Sequence, residues 1–234
     1  MKRIFLFCCL FLLFYSSANA NLTTIGTAQF GGEGNAYKLI WDDNNNGNSV
    51  VWLDYSNTPD DWSTQTSWAQ GLNSPEAIVL SINPAYSVNW GSNAWRLPTL
   101  VGYDLEWNVN GSTSVGYNIT TSEMGHLFYA ELDNLGLYST SSVYEPPGWG
   151  LTNTGDFDNL TTNRYWYDKK GLAPYSSNAF YFRTFTGEQG LGTVALDSSG
   201  LAVRSGQVST VPVPGALWLL WSGLIGLVGL KRRK

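Results

Sequence analysis

The chain has 234 residues, of which 43% are hydrophobic and 13% are charged, and it contains 11 Trp and 13 Tyr. Of its 13 Lys and Arg, 2 lie within residues 1–20 and 4 occupy the last four positions, so 7 lie in residues 21–210. All 18 Asp and Glu lie in that same region, which therefore has a formal charge of −11. Such an acidic region excludes proteins that hold nucleic acid or anionic lipid on a basic patch, and it suits divalent cations or neutral glycans better.

Residues 1–20 have the pattern of a secretory signal peptide. Two basic residues precede an apolar stretch at 4–15, and Ala18 and Ala20 supply the small residues of a signal peptidase cleavage site. We expect cleavage before residue 21 and export through the inner membrane. Both cysteines of the chain lie in this segment, so the mature region would contain no disulfide bond.

Residues 37–54 have the pattern of a β-hairpin with a polar turn. Aromatic and β-branched residues at 37–41 and 49–54 flank an Asn-Gly pair, which is a strong short-range hairpin signal. We therefore predict two antiparallel strands joined by a turn at 42–48.

The same turn has a second interpretation, as a calcium-binding loop. Asp42, Asn44 and Asn46 alternate ahead of a glycine, as in a loop whose side-chain oxygens converge on a hard cation. The position that should supply a bidentate Glu is Leu53, and Asp54 comes one residue late. The sequence favours a solvated turn, with calcium on these four polar residues as the alternative, and it predicts no other cofactor.

Two short helices are predicted. In the first, at 59–71, Trp62 and Trp68 recur at helical spacing between two N-terminal aspartates and a terminal glycine. In the second, at 123–135, apolar residues form a stripe at i, i+3 and i+4, and Gly136 follows as a stop signal.

No catalytic residue is predicted. His126 is the single histidine, and no cysteine outside residues 1–20 accompanies it, so the sequence offers neither a His/Cys metal site nor a His-dependent triad. The adjacent acids at 42–43 and 60–61 lie on a turn and at a helix start, where neighbouring side chains rarely face one substrate atom. We expect a protein that is not an enzyme.

Two long polar stretches, at 102–121 and 139–163, are rich in Gly, Asn, Ser and Thr. Loops of this length inside one domain are usually functional or disordered. Their aromatic residues form either a sugar-stacking face or surface insertions whose rings fold back onto the core, and we favour the second. The candidate ligand-binding residues are Trp107, Tyr117, Tyr144 and Trp149.

Strands are predicted after these stretches. Apolar side chains alternate at 180–182 and 194–196, as they do in half-buried strands, and the polar turn at 197–200 joins the last two strands. Together the patterns predict an α+β domain with two short helices, a mostly antiparallel sheet and long loops.

The segment 211–234 predicts a transmembrane helix with a basic end. Prolines precede an apolar run at 215–230, and four Lys and Arg close the chain. At about 1.5 Å per residue the run makes roughly 24 Å of helix, which just spans a hydrocarbon core of about 30 Å if the ends snorkel. From these residues alone, a permanent anchor and a cleaved signal are equally compatible.

This tail resembles the PEP-CTERM sorting signal. Its short motif consists of Pro212, Val213 and Pro214, with Val213 where the family usually has Glu, and an apolar helix and a basic end follow. The resemblance implies processing by an exosortase-type membrane protease. It also implies the envelope, the surface or the extracellular matrix of a Gram-negative bacterium as the place of action.

The region between the two signals resembles the DUF1566, or Lcl-type, domain, which is related in fold to C-type lectins. The resemblance covers 39–206 and rests on Trp-Arg-Leu-Pro-Thr at 95–99, Ser-Glu-Met-Gly-His at 122–126, and strands at 164–167, 179–182 and 202–206. It implies a C-type-lectin-like domain. The cysteines of the formylglycine-generating relatives and the calcium-dependent sugar motif of true C-type lectins are absent, so neither activity is implied.

We therefore divide the chain into a signal peptide at 1–20, an exported domain at 21–210 and a sorting signal at 211–234. The expected function is non-enzymatic binding or adhesion at the cell surface or in a biofilm matrix, with exopolysaccharide as the expected ligand. The alternatives are a structural surface protein without a specific ligand and, third, an envelope hydrolase. The expected partners are signal peptidase, an exosortase-type protease and exopolysaccharide, and nucleic acid is not expected.

Overall fold

The computed structural model describes residues 22–31 and 34–212. The predicted signal peptide at 1–20 and the predicted transmembrane helix at 215–230 lie outside the described residues. None of the helices in the described ranges combines the length and the apolar character needed to cross a membrane.

Twelve strands and two short helical segments form the described chain. The strands are β1 (Leu22–Phe30), β2 (Ala36–Asn45), β3 (Asn48–Ser56), β4 (Ile78–Ile82), β5 (Tyr86–Asn89), β6 (Trp107–Asn108), β7 (Val115–Gly116), β8 (Arg164–Lys170), β9 (Asn178–Arg183), β10 (Glu188–Thr193), β11 (Leu201–Ser205) and β12 (Gln207–Thr210). The helical segments are α1 (Trp62–Gly71) and α2 (Glu123–His126), and α2 continues as a π-helix over Leu127–Glu131.

The strands form three sheets. The first has the order β11-β3-β2-β1-β4 and is antiparallel throughout. The second has the order β6-β7-β10-β9-β8, in which only the short β6–β7 pair is parallel. The third consists of β12 and β5. Mostly antiparallel sheets with two short helical segments confirm the predicted α+β class.

The predicted hairpin is confirmed as β2 and β3. Their register pairs Leu39 with Leu53 and Asp42 with Val50. At the turn, Asn46 and Gly47 have φ angles of 52° and 81°, the left-handed pair that a two-residue turn between right-twisted strands requires.

The first predicted helix is confirmed, and the second is shorter than predicted. In α1 the N-cap Asp61 accepts a hydrogen bond from the backbone N–H of Thr64. The second helical segment stops at Glu131, because Asp133 takes a left-handed φ of 51° and turns the chain. Leu135, which the predicted stripe would bury, is consequently 45% exposed.

The predicted strand at 194–196 is wrong, and the strand before it was missed. Strand β10 ends at Thr193, and the next residues form a turn in which the N–H of Leu196 bonds to the carbonyl of Thr193 at 3.1 Å. Val194 and Leu196 pack against the cluster that contains Ala69 of α1 and Trp166 instead of joining a sheet. The alternating apolar residues at 194–196 are therefore explained by packing against α1. Strand β10 is rich in glycine and carries little strand pattern of its own.

The core joins the two five-stranded sheets. Trp52 from the first sheet, Phe180 and Phe182 from the second, and Phe128 from the π-helix belong to one cluster of fully buried side chains. Each sheet thus buries one face against the other sheet or the second helical segment, as a layered α+β fold requires.

A hydrogen-bonded unit built on Arg96 ties three distant segments together. The guanidinium makes two bonds of 2.7 Å to the carboxylate of Glu123, which also accepts from the N–H of Thr99 at 2.6 Å. The backbone of Arg96 exchanges two hydrogen bonds with Val203. These residues lie in three of the segments from which the family resemblance was inferred.

Candidate functional site

A cleft of about 350 Å³ opens over β10, and we call it the Trp107 cleft. Its volume falls within the range of small-ligand sites, which are mostly apolar with a few polar groups. The side chains that give it chemical character are Leu105, Trp107, Tyr175, Asn178, Tyr181 and Glu188.

Trp107 forms one wall of the cleft and is 54% exposed. Its ring meets Tyr117 at a centroid distance of 6.1 Å and Tyr138 at 5.9 Å, with interplanar angles of 81° and 90°. Edge-to-face contacts of this kind hold an aromatic ring in one orientation. The indole is therefore a fixed, half-exposed surface for a ligand to stack on.

Tyr181 lies next to β10 at the base of the cleft. It pairs with Gly190, where an added Cβ would lie 2.5 Å from the tyrosine ring, so the close approach of the ring requires glycine there. The guanidinium carbons of Arg183 and Arg164 lie 4.9 Å and 5.4 Å from the ring centroid. Burial raises the pKa of Tyr181, which keeps its hydroxyl protonated at neutral pH.

The polar groups of the cleft are amides and one neutralised carboxylate. Glu188 is the only acidic residue among the described residues that line the cleft, and it forms an ion pair with Arg183. The side chain of Gln189 is used inside the protein, where it accepts from the Tyr167 hydroxyl at 2.7 Å and donates to the carbonyl of Ser114 at 2.8 Å. The cleft therefore offers hydrogen bonds without an unpaired charge.

The structure brings three of the four aromatic candidates together. Trp107, Tyr117 and Tyr144 join through Tyr138, whose ring centroid lies 5.2 Å from those of both tyrosines. Tyr144 is 57% exposed, whereas Tyr117 is 5% exposed and supports the others from beneath. The two interpretations of these rings thus apply to different residues, because Tyr117 folds into the core and Trp107 does not.

Trp149 lies apart from this group. It is 36% exposed and forms a backbone bridge with Leu135, and no aromatic contact between it and the other three candidates occurs in the described chain. It does not line the Trp107 cleft.

Sequence reasoning missed Tyr138, Tyr175, Tyr181 and Glu188. Tyr138 lies one residue before the polar stretch in which candidates were sought. The signal for Tyr181 was present, because in a strand with buried Phe180 and Phe182 the residue between them points to the other face. Tyr175 and Glu188 carry no local pattern, since only the fold places them beside Trp107.

The calcium candidates do not all meet at the turn. Asp42 is buried and accepts hydrogen bonds from Asn45 Nδ2 at 2.8 Å and Trp52 Nε1 at 3.3 Å. Asp54 accepts from the N–H groups of Asp158 and Asn159, both at 2.9 Å.

The strand register keeps the two carboxylates apart. Asp42 pairs with Val50, four residues before Asp54, which corresponds to roughly 13 Å along a strand. Within the described ranges, no group of three His, Cys, Asp or Glu is placed to hold a metal ion. Calcium binding at the turn, the alternative to a solvated turn with Asp42, Asn44, Asn46 and Asp54 as candidates, stays a prediction that calorimetric titration tests.

His126 has a partner that the sequence did not reveal. Its Nε2 lies 2.9 Å from Oε1 of Glu131, a side chain with no exposed surface, whose Oε2 is the one buried side-chain polar atom of the described chain without a hydrogen bond. The five-residue separation matches the i→i+5 spacing of the π-helix. The bond to Glu131 raises the pKa of His126, and burial raises the pKa of nearby Asp42 to about 6.

The processing residues lie at or beyond the ends of the described chain. Ala18, Ala20, Val213 and Pro214 are outside it, and Pro212 is its last residue and is exposed. The chain is anchored just before this point, where the N–H of Val211 bonds to the carbonyl of Ala85 at 2.8 Å.

No family model, no curated protein and no solved structure matches this chain.

Proposed function

We propose that this chain is an exported, non-enzymatic carbohydrate-binding protein that holds neutral polysaccharide in the Trp107 cleft. The observation that carries the proposal is the fixed, half-exposed indole of Trp107 above a cleft in whose described lining the one acid is already paired. Sugars present apolar C–H faces and hydroxyl rims, so they suit an aromatic wall bordered by amide and hydroxyl groups.

The charge of the region supports a neutral ligand. Away from its few Lys and Arg side chains, a region with a formal charge of −11 over residues 21–210 repels polyanions, whereas this field has no net effect on a neutral glycan. The rings of Tyr138 and Tyr144 continue outward from Trp107, so an extended polymer has further aromatic surface beyond the cleft.

Binding without catalysis follows from the same inventory. Glycoside hydrolysis commonly uses two carboxylates that flank the scissile bond. The described lining of the Trp107 cleft supplies Glu188 alone, and its carboxylate is paired with Arg183.

A glycan array, followed by calorimetry with the best neutral polysaccharide, tests the proposal on residues 21–210. We expect Trp107→Ala to weaken binding at least tenfold, which is the scale of an aromatic anchor worth about 1.4 kcal/mol or more. Trp149→Ala is the matched control, because it removes an exposed indole outside the cleft. Failure to bind any glycan would favour a structural surface protein, and release of reducing ends would indicate a hydrolase.

We also propose that the tail at 211–234 is a PEP-CTERM-type sorting signal and that the exported domain is lectin-like. The Arg96 unit supports the second point, because it joins segments that the resemblance treats as one pattern. Peptide mapping of the protein from the envelope and the medium of its host tests the first. Peptides that end near Pro212 indicate processing, and an intact tail indicates a permanent anchor.

A further inference from the structure

A second cleft, of about 380 Å³, lies beside the C-terminal end of α1 and contains a single charged side chain, that of Arg204. We call it the Arg204 cleft. Its floor is apolar, with Leu72, Ile78 and Trp95, and its rim carries Ser74, Ser92 and Asn93. It shares no lining residue with the Trp107 cleft.

Arg204 is held in a fixed position and has no acidic partner among the residues that the structure describes. Its guanidinium carbon lies 4.6 Å from the ring centroid of Trp90, and its Nε donates to the carbonyl of Asn93 at 2.9 Å. None of the ion pairs in the described chain involves Arg204. A partly buried cation usually has an anionic partner, because desolvation otherwise goes uncompensated.

The loop that carries Trp90 and Asn93 is itself fixed. Asn73, just after α1, accepts from the N–H of Trp95 at 2.7 Å and donates to its carbonyl at 3.0 Å. Asn89 accepts from the N–H of Gly91 at 3.0 Å. The site is therefore ordered before any ligand arrives, which lowers the entropic cost of binding.

The surroundings of the Arg204 cleft differ from the rest of this acidic protein. No Asp or Glu occurs at 77–103 or 198–234, the two segments that supply most of its lining, although the chain has 18 acids. Glu76 follows Pro75 in the third lining segment, but no acid is among the described lining residues, so Arg204 gives the cleft a local positive charge that favours an anion.

A neighbouring amide-rich cleft of about 240 Å³ extends this site. The two share Gly91 and Asn93, and the second adds Asn48, Asn89 and Gln207 without any charged residue. Amide groups both donate and accept hydrogen bonds, which matches the hydroxyls of a sugar.

We infer that the Arg204 cleft binds the carboxylate of an acidic sugar, with the guanidinium on the carboxylate and the adjoining amides on the hydroxyls. The planar guanidinium offers two parallel N–H donors to a carboxylate. The protein then has two sites of different chemistry, one for neutral glycan and one for uronate.

Titration of the full chain in detergent with galacturonate oligomers tests this inference, with tryptophan fluorescence and calorimetry as readouts. Acetate tests the contribution of the carboxylate alone, and galactose oligomers test the contribution of the sugar alone. We expect saturable binding of the uronate, binding at least tenfold weaker for each of the other two, and weakening as ionic strength rises.

Variants locate the binding. Arg204→Gln should weaken uronate binding at least tenfold. Arg204→Lys should weaken it less, because lysine keeps the positive charge but lacks the two parallel N–H donors of the guanidinium. The matched control is Lys170→Gln, which removes another cation stacked on a tryptophan, with Nζ 5.0 Å from the Trp62 ring centroid.

Three outcomes would overturn the inference: no uronate binding by the wild-type chain, equal binding by Arg204→Gln, or equal affinity for galactose oligomers. If Arg204→Gln fails to fold, the wild-type titrations and the Arg204→Lys variant still test whether the cleft binds uronate. Trp107→Ala should leave uronate binding unchanged, so failure here is distinct from failure of the neutral-glycan proposal.

Discussion

At the residue scale, Arg96 connects segments that lie far apart in the chain. It joins Glu123 through two hydrogen bonds, contacts Ser205, and pairs through its backbone with Val203. Both partners of the ion pair are largely shielded, with 26% and 13% of their side-chain surfaces exposed. Removing one partner from such a pair leaves the other charge without compensation.

We predict that Arg96→Ala lowers the free energy of unfolding by about 3 kcal/mol, as loss of a partner from a largely buried ion pair does. Urea unfolding followed by tryptophan fluorescence measures this. The control is Lys38→Ala, because Lys38 pairs with Asp158, which is 67% exposed. We expect less than about 1 kcal/mol there. Equal losses in the two variants would contradict the central role of Arg96.

The buried group of Asp42, His126 and Glu131 predicts a stability that falls as pH rises. Burial raises the pKa of Asp42 from 3.8 to about 6, and the bond to Glu131 raises the pKa of His126 above 6.5. Both groups hold protons more tightly in the folded state. The stability that these two protonated groups contribute is therefore present at low pH, and it is lost as the pH rises through their pKa values in the folded protein.

Asp42→Asn isolates the part of this pH dependence of stability that arises from Asp42 and lies at lower pH. Between about pH 4 and pH 7 the wild-type protein should lose roughly 3 kcal/mol relative to the variant, from the linkage of about 1.4 kcal/mol per pKa unit. His126→Gln should flatten the profile above pH 6.5 instead. Unfolding in urea at a series of pH values measures both, and parallel profiles for wild type and Asp42→Asn would refute the prediction.

At the element scale, the β2–β3 hairpin is the unit that its own residues specify most completely. Alternating aromatic and β-branched residues give the strands, and the left-handed Asn46-Gly47 pair gives the turn. We predict that Gly47→Ala destabilises the protein by about 1 kcal/mol, because φ is 81° and an added Cβ is strained there despite open space around it.

Gly71→Ala is the matched substitution for this test. Gly71 ends α1, has open space at its Cβ position, and does not require a left-handed φ. We expect it to stabilise the protein by up to about 1 kcal/mol through higher helix propensity. Thermal unfolding of both variants should therefore show melting temperatures that move in opposite directions.

Other elements were less accessible from local patterns. The second helix was predicted to reach 135, but Asp133 takes a left-handed φ that the local sequence does not predict. The strand at 194–196 was predicted from an alternation that serves packing on α1. Strand β10 was missed, because its glycines leave room for the Tyr181 ring and so carry no strand propensity.

At the scale of the whole molecule, both five-stranded sheets share one core, so we predict that the described domain unfolds in one transition. Phe182→Ala removes a fully buried ring that lies 5.3 Å from Phe128, and it should cost about 3–5 kcal/mol. Circular dichroism and tryptophan fluorescence should shift together. Phe185→Ala, at a ring that is 43% exposed, is the control and should shift neither. Two separate transitions would show that the sheets unfold independently.

The sequence by itself determined the α+β class, the hairpin, α1 and strand β9, because these depend on short-range periodicity and turn chemistry, and the family resemblance added strand β8. It also selected Trp107, Tyr117, Tyr144 and Trp149 as ligand-binding candidates, because aromatic residues in long polar loops are conspicuous, and that role stays a prediction. The tertiary structure alone decided that Tyr138, Tyr181 and Glu188 belong beside Trp107 and that Arg204 faces a cleft with no acid in its described lining. These sites assemble from segments separated by tens of residues, and such proximity is set by packing and register rather than by any local pattern.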